Sequence, residues 1–309
     1  MESIKVFAPA SVANVACGFD VLGFAVSAPG DEIILRKNST GKLQILSIEG
    51  DDGKLPRDIE KNSATAVIKN ILVHLGNSQG IDISLFKKMP LGSGLGSSAA
   101  SSVAGAFAVN ELLGRPLSVR ELLPFAMEGE RIACGTAHAD NVAPSLLGGF
   151  ILIRSYEPLD VIKLPSLKNL FAAVIHPQIE IKTKDARGIL KKEITLRDAV
   201  RQWGNVGGFV AALYSADYGL LGRSMIDHIV EPTRSILLPG YDQVKESAMA
   251  AGALGCGISG SGPSLFALCR GQDIARKAGI GMAKVFEDLK IESEIYVSEI
   301  NQKGPQILN

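Results

Sequence analysis

What the chain lacks narrows its function before any motif is read. Its four cysteines, Cys17, Cys134, Cys256 and Cys269, are far apart and form no CxxC pair, so neither a zinc ribbon nor a dithiol redox motif is present. A chain of 309 residues with 46% hydrophobic content buries a core without disulfide staples, and a reducing cytoplasm is the expected compartment. The four histidines, His74, His138, His176 and His228, are equally scattered and offer no metal-ligand spacing. Neither sign of charge is in excess, with 32 basic and 32 acidic residues; nothing draws the protein to nucleic acid or to an anionic membrane. No uncharged apolar run reaches the roughly 18 residues of a membrane span. The first residues, MESIKVFAPAS, have neither the basic nor the apolar region of a signal peptide. Internal repeats and low-complexity segments are absent.

What is present is an alternation of strands and helices. Short strand-like runs open the chain at Ile4–Pro9, Asp31–Lys37 and Leu43–Ile48, each bounded by Gly, Asp or Pro. Apolar residues at Ala66, Val67, Ile71, Leu72 and Leu75 have helical spacing over 62–75. A strand, IDISLFKKM, then runs into a Gly/Ser loop that opens a helix over about 96–113. A second helix, about 118–132, begins with a capping box of Ser118 and Glu121. FILIRS and FAAVIHP read as strands, with a polar turn between them at 165–169. Helices follow over 196–218 and 241–252, then the strand PSLFALC, a helix over 272–289 and a last strand, ESEIYVSEI. The expected fold is α+β, in two domains of residues 1–165 and 166–309.

The densest chemistry lies in PLGSGLGSSAASS, Pro90 to Ser102. A Walker loop needs a lysine after its last glycine, but Ser97 and Ser98 follow Gly96. A dinucleotide fingerprint needs GxGxxG, and Gly92, Gly94 and Gly96 give GxGxG. The literal GxGxxG at Gly255–Gly260 stands between a helix and a strand, the reverse of the order that fold requires. Strand, GSGLGSS and helix still suit a polyphosphate, because successive N–H groups form an anion nest and the helix adds positive charge at its N-terminus. The alternative is a tight turn whose small residues only permit close packing.

PLGSGLGSSAA resembles the central signature of the GHMP small-molecule kinases, whose members phosphorylate galactose, mevalonate and other small alcohols. PASVANVACGFDVLGFAV (9–26) is similar to the family's N-terminal signature, and GISGSGPSLFAL (257–268) to its C-terminal glycine motif. The three occur in the family's order across nearly the whole chain. ANVACGFDVLGFA, HADNVAPSLLGG, TKDAR and EPTRSILLPG resemble the branch that transfers phosphate from ATP, with Mg²⁺, to the side-chain hydroxyl of L-homoserine on the route to threonine. The resemblance implies a two-domain GHMP kinase fold. Its N-terminal domain is like domain 2 of ribosomal protein S5, with a left-handed βαβ crossover, and its C-terminal domain is a ferredoxin-like sandwich. The active site would lie between them. A homodimer is also implied.

Carried over residue by residue, the resemblance places the triphosphate over Pro90, Leu91, Gly92, Ser93, Gly94, Leu95, Gly96, Ser97, Ser98, Ala99 and Ala100, and the adenine near Asn62, which is equally readable as an ordinary helix N-cap. Ser98 and Glu130 match the Mg²⁺ positions; without the resemblance Glu130 reads as part of a solvated helix face. Asn14 and Asp20 match homoserine contacts, Asp20 facing the ammonium. Arg187 and Arg234 match the residues that hold the carboxylate, a role suited to a guanidinium fork. His138 aligns with the substrate pocket or is a hydrogen-bonded core histidine, and Thr183 falls near the transferred group. Counting back from Gly148 puts Asn141 where mevalonate kinase has a catalytic Asp. Asn cannot take a proton, so the expected reaction has no protein base: Asn141 orients the hydroxyl and the proton passes to phosphate. Asp140 is the alternative base. Two arginines and an acid favour a zwitterion over mevalonate or a sugar, and an intact loop with both metal positions favours turnover over binding alone.

Overall fold

The computed structural model describes residues 1–181 and 183–308. Strands β1 (Ser3–Ala13) and β2 (Leu22–Asn38) form the antiparallel spine of the first sheet. β2 is long because it changes partners along its length. Glu32–Asn38 pairs with β4 (Gly80–Phe86), while Leu22–Phe24 pairs with β5 (Phe150–Tyr156). Between those halves lies Gly30, where a Cβ would stand 2.4 Å from the Ala8 carbonyl oxygen. Strand β3 (Leu43–Glu49) runs parallel to β4, and helix α1 (Ser63–His74) makes the crossover. Strand β6 (Leu159–Leu164) closes the other side against β5.

Helices α2 (Ser97–Leu112), α3 (Leu123–Cys134) and α4 (Ala139–Leu147) join α1 in the helical layer. α2 is apolar on every side because it packs against α1, α3, α4 and the sheet at once. Its small residues permit this: a Cβ on Gly105 would lie 2.6 Å from the Ala64 carbonyl oxygen. The expected helix over 118–132 is divided into a 3₁₀ turn, Val119–Leu122, and α3. Its capping box is formed, Glu121 accepting from the Ser118 N–H at 2.7 Å.

Strands β7 (Leu170–Pro177), β8 (Gly255–Ile258), β9 (Leu265–Arg270) and β10 (Ser293–Glu299) make a second sheet in the order β10-β7-β9-β8, antiparallel throughout. With α5 (Thr183–Gly188), α6 (Leu196–Ser215), α7 (Tyr218–Ser224), α8 (Glu231–Arg234) and α9 (Tyr241–Ala250) after β7, and α10 (Gln272–Asp288) after β9, this is the ferredoxin-like arrangement. Phe171, Ala173 and Ile175 on one face pack with α9 and α10, while Ala172, Val174, Phe266 and Leu268 on the other join the core of the first sheet. The two sheets therefore share one apolar interior. Strands β1–β6 precede residue 165 and β7–β10 follow it, but the chain end crosses back: β11 (Gln306–Leu308) pairs with β1.

Candidate active site

A cavity of about 500 Å³ opens between the layers. Its floor is the glycine loop and its walls come from the turn after β1, the start of α1, the end of α3, the start of α4, α5, α8 and the β8–β9 turn.

Gly92, Gly94 and Gly96 all adopt left-handed φ, at 70°, 79° and 66°, which is why the loop needs glycine at alternate positions. Two of them also permit contact. A Cβ on Gly94 would stand 2.5 Å from the Ser259 carbonyl oxygen, and one on Gly96 would stand 2.2 Å from Ser11 Oγ. The loop is pinned before any ligand arrives: Ser259 Oγ donates to the Gly94 carbonyl at 2.7 Å, the Ser264 N–H to Ser93 at 3.2 Å and the Ser11 N–H to Leu95 at 3.1 Å. Gly96 N-caps α2 with no side-chain hydrogen bond, so the first-turn N–H groups are left uncapped for an anion.

Beneath the loop lies an ion pair that the sequence did not reveal. Lys87 Nζ is buried against Asp31 and also donates to the Ser97 carbonyl at 3.0 Å and to Ser101 Oγ at 2.6 Å. The Asp31 carboxylate in turn accepts from the Lys88 N–H at 2.9 Å and Ser97 Oγ at 3.2 Å. Lys87 lines the cavity, but its charge is matched by Asp31, so it braces the first turn of α2.

Of the residues expected at the nucleotide, Leu91, Gly92, Ser93, Gly94, Gly96, Ser97, Ser98 and Asn62 line the cavity, while Leu95, Ala99 and Ala100 are fully buried beneath it and offer only backbone. Pro90 is not in the lining. Asn62 is the N-cap of α1, its Oδ1 accepting from the Ala64 N–H at 3.1 Å and its Nδ2 donating to the Pro56 carbonyl at 3.1 Å, and it also lies on the cavity wall. Ser98 Oγ donates to Glu130 Oε2 at 2.6 Å, and Glu130 is 4% exposed. A solvated face is thereby ruled out for Glu130. A hydroxyl and a carboxylate are hard oxygen donors, and the pair fits an ion such as Mg²⁺ that retains most of its water. His138 Nδ1 lies 3.4 Å from Glu130 Oε1, and that hydrogen bond holds the imidazole pKa above its ordinary value.

The turn after β1 carries unusual backbone. Asn14, Val15, Ala16 and Asp20 all have positive φ, at 72°, 45°, 57° and 59°. Such conformations are costly for side chains beyond Asn and Asp and need outside support. Asn14 supplies it, its Nδ2 donating to the Gly260 carbonyl at 2.7 Å while its Oδ1 accepts from the Asp20 N–H at 3.1 Å. The Gly260 N–H donates back to Ala13 at 3.2 Å. The turn is thus clamped to the C-terminal glycine motif.

Asp20 and Arg187, expected at opposite ends of a zwitterion, hold each other. Arg187 Nη1 and Nη2 donate to the Asp20 carboxylate at 3.0 and 2.8 Å. Arg234 is buried, donates to the Ala186 carbonyl at 3.2 Å and the Gly260 carbonyl at 2.9 Å, and lies with Arg187 over the Phe19 ring, at 5.0 and 5.4 Å. Burial, with Arg187 nearby, lowers the Arg234 pKa. Thr183 Oγ1 sits 3.2 Å from Ser261 Oγ, and Asn141 Oδ1 accepts from Ser11 Oγ at 3.1 Å.

Among the described residues, three buried side-chain polar atoms have no hydrogen-bond partner: Asp140 Oδ1, Arg187 Nε and Glu231 Oε2. Two of the three belong to residues lining this cavity, and they are an acceptor and a donor. Burial, with Asp20 adding like charge, pushes the Asp140 carboxyl up to about 7. Native folds rarely leave such atoms open, so each calls for an explanation.

Fold and site together define a GHMP kinase. Models of the GHMP kinases N terminal domain and the GHMP kinases C terminal domain match residues 62–149 and 209–287. The chain is 51% identical over 320 residues to a homoserine kinase of Chlorobium phaeovibrioides, covering all of both chains. It is 38% identical to one of Pyrococcus abyssi, covering 96% of each. A crystal structure of homoserine kinase from Cytophaga hutchinsonii superposes with a TM-score of 0.98 at 62% identity, covering 100% of this chain and 98% of that one. L. major mevalonate kinase shares the fold, with a TM-score of 0.73 at 18% identity over 96% of each chain. This chain belongs to the homoserine kinases of the GHMP kinase family.

Proposed function

We propose that the enzyme transfers the γ-phosphoryl group of ATP to the side-chain hydroxyl of L-homoserine, giving O-phospho-L-homoserine for threonine biosynthesis. The observation that carries this reading is that one acid, Asp140, and two arginines, Arg187 and Arg234, line a single cavity with the glycine loop. They stand beside an uncapped helix N-terminus. A phosphate donor meets the helix, and a small alcohol bearing both an ammonium and a carboxylate matches the acid and the two arginines.

In this reading the triphosphate lies along Gly92–Ser98, with the adenine toward Asn62. Ser98 and Glu130 would hold Mg²⁺, which would supply positive charge to offset that of the phosphates. Arg187 and Arg234 receive the substrate carboxylate. Arg234 spends only two of its five N–H groups on the protein. Asp20 fixes Arg187, Asn14 fixes the turn that carries Asp20, and Asp140 is left to face the ammonium. His138 and Thr183 complete the wall. Asn141 orients the hydroxyl; the new O–P bond forms as the bond to ADP breaks, and the hydroxyl proton passes to a phosphoryl oxygen.

A second reading has one observation in its favour. A carboxyl held at about 7 is well matched to general-base work at neutral pH, which would make Asp140 the base. The reading also includes a homodimer working in the cytoplasm.

The deciding experiment measures ADP release from ATP and Mg²⁺ with L-homoserine, L-serine, L-threonine and mevalonate side by side. Turnover with homoserine alone is expected. Turnover with mevalonate instead would keep the phosphate loop and overturn the roles of Asp140, Arg187 and Arg234.

A further inference from the structure

Helix α6 buries Gln202, Phe209, Ala212 and Leu213 on its inner side. The side opposite should then be polar. It is not. Leu196, Val200, Trp203, Gly207, Ala211 and Tyr214 recur at steps of four and three and fall within an arc of about 80°. The four large members are 74%, 50%, 58% and 65% exposed. This stripe runs for about 27 Å, and the segment leading into it adds exposed Ile189 and Ile194. Among the described residues, no segment covers it.

We infer that the outer face of α6 is where two copies of this chain associate, with the two helices antiparallel about an axis near Asn205. The stripe is self-complementary in that arrangement. Counting outward from 205, Trp203 of each copy meets Gly207 of the other, Leu196 meets Tyr214, and Val200 meets the Val210–Ala211 step. Gly207 has no atom within 4 Å of where its Cβ would be, so it offers an open hollow to the indole, the largest side chain on the stripe. Charge agrees. Lys191, Lys192, Arg197 and Arg201 outnumber Glu193 and Asp198 at the N-terminal end of the helix, while exposed Asp217 lies just past the other end. Antiparallel pairing sets each basic end against the partner's helix C-terminus and acid; parallel pairing would stack the two basic ends. This inference rests on the homodimer of the proposed function and names its surface.

Trp203 is the sole tryptophan in the chain, so its fluorescence reports this face directly. Sedimentation velocity and emission spectra of the full-length protein are recorded over a concentration series, for wild type, Trp203→Glu and Gly207→Glu. The second variant meets no neighbour within one chain and removes a helix-weakening glycine, so it retains the fold; circular dichroism checks this. The expected result is a wild-type dimer whose emission moves to shorter wavelength with the dimer fraction. Each variant raises the dissociation constant by roughly 30-fold or more, the scale of losing one central anchor. A wild-type monomer at every concentration overturns both the homodimer and this surface. A dimer that persists in Gly207→Glu, or forms with unchanged tryptophan emission, leaves the homodimer and overturns the surface. A wild type found only bound to a different protein through this face also overturns it.

Discussion

Replacing Asp140 by Asn separates what this residue does for the fold from what it does for the substrate. In the folded chain its carboxyl is pushed up to about 7 from the ordinary aspartate range, first by burial and then by the like charge of Asp20. The folded state therefore holds a proton that the unfolded state has released, and stability falls as pH rises from about 4 through 7. Near pH 8 the full penalty is in force, about 4 kcal/mol, because each tenfold displacement of a protonation equilibrium is about 1.4 kcal/mol. Asn removes that charge but leaves a buried amide incompletely paired, at about 1–3 kcal/mol. The net expectation without ligands is a gain of about 1–3 kcal/mol at pH 8, or a few degrees in Tm, shrinking as pH falls toward 4. Function moves the other way. Losing a buried carboxylate that faces an ammonium costs about 2–5 kcal/mol, so kcat/KM for L-homoserine drops by about 30-fold to several thousand-fold. For 4-hydroxybutanoate, which has no ammonium, it hardly changes. Differential scanning calorimetry at two pH values and steady-state kinetics on both substrates test the pair of statements. A variant less stable than wild type at pH 8 would refute the burial argument. An equal loss of kcat on both substrates would refute the ammonium contact and make Asp140 the base.

Three other substitutions probe separate parts of the site. Lys87→Met should lower stability by about 3–5 kcal/mol by leaving Asp31 buried without its partner; urea unfolding measures it, and Lys87→Met combined with Asp31→Leu should recover much of the loss. Glu130→Gln should keep the fold and its hydrogen bond to Ser98 while raising the Mg²⁺ concentration needed for half-maximal rate by at least tenfold, read from Mg²⁺ titrations at fixed ATP. Asn141→Ala should lower kcat by about 10–100-fold with little change in KM for ATP, as expected when an orienting contact is lost; full turnover would remove that role.

The nucleotide half of the site was legible because glycine declares its backbone. Three left-handed positions in five residues require Gly92, Gly94 and Gly96, and sequence spacing alone shows the motif. Side-chain partners were not legible in the same way. Lys87 and Lys88 are adjacent and chemically alike, yet one is buried on Asp31 and the other reaches Glu32 at the surface. Only the inside–outside alternation that continues past the end of β4 decides which. Asp20 was expected at the ammonium, but the fold brings α5 against the β1 turn and gives its carboxylate to Arg187, 167 positions away. Helix α4 went unread because Pro144 lies inside it and glycines follow; tertiary packing overrides that local reluctance. The break between α6 and α7 falls at Ala216, left-handed at φ 55°, where no glycine marks it.

The two halves of the cavity are built on opposite principles. On the phosphate side every contact is already made: Gly94 is in backbone contact with the Ser259–Gly262 turn, Ser97 and Ser101 share the Lys87–Asp31 pair, and only helix N–H groups remain open. On the proposed reading, a loop pinned this way binds phosphate with little reorganisation. On the amino-acid side the protein withholds its own partners, leaving Asp140 Oδ1 and Arg187 Nε open and a run of positive-φ residues under strain. On the proposed reading, a molecule that is both cation and anion offsets the cost of burying Asp140 and the two arginines. An alcohol lacking either charge fills the same volume but leaves one buried group unpaired. Selectivity for an amino acid then follows, on the proposed reading, from the charges the cavity presents rather than from its shape.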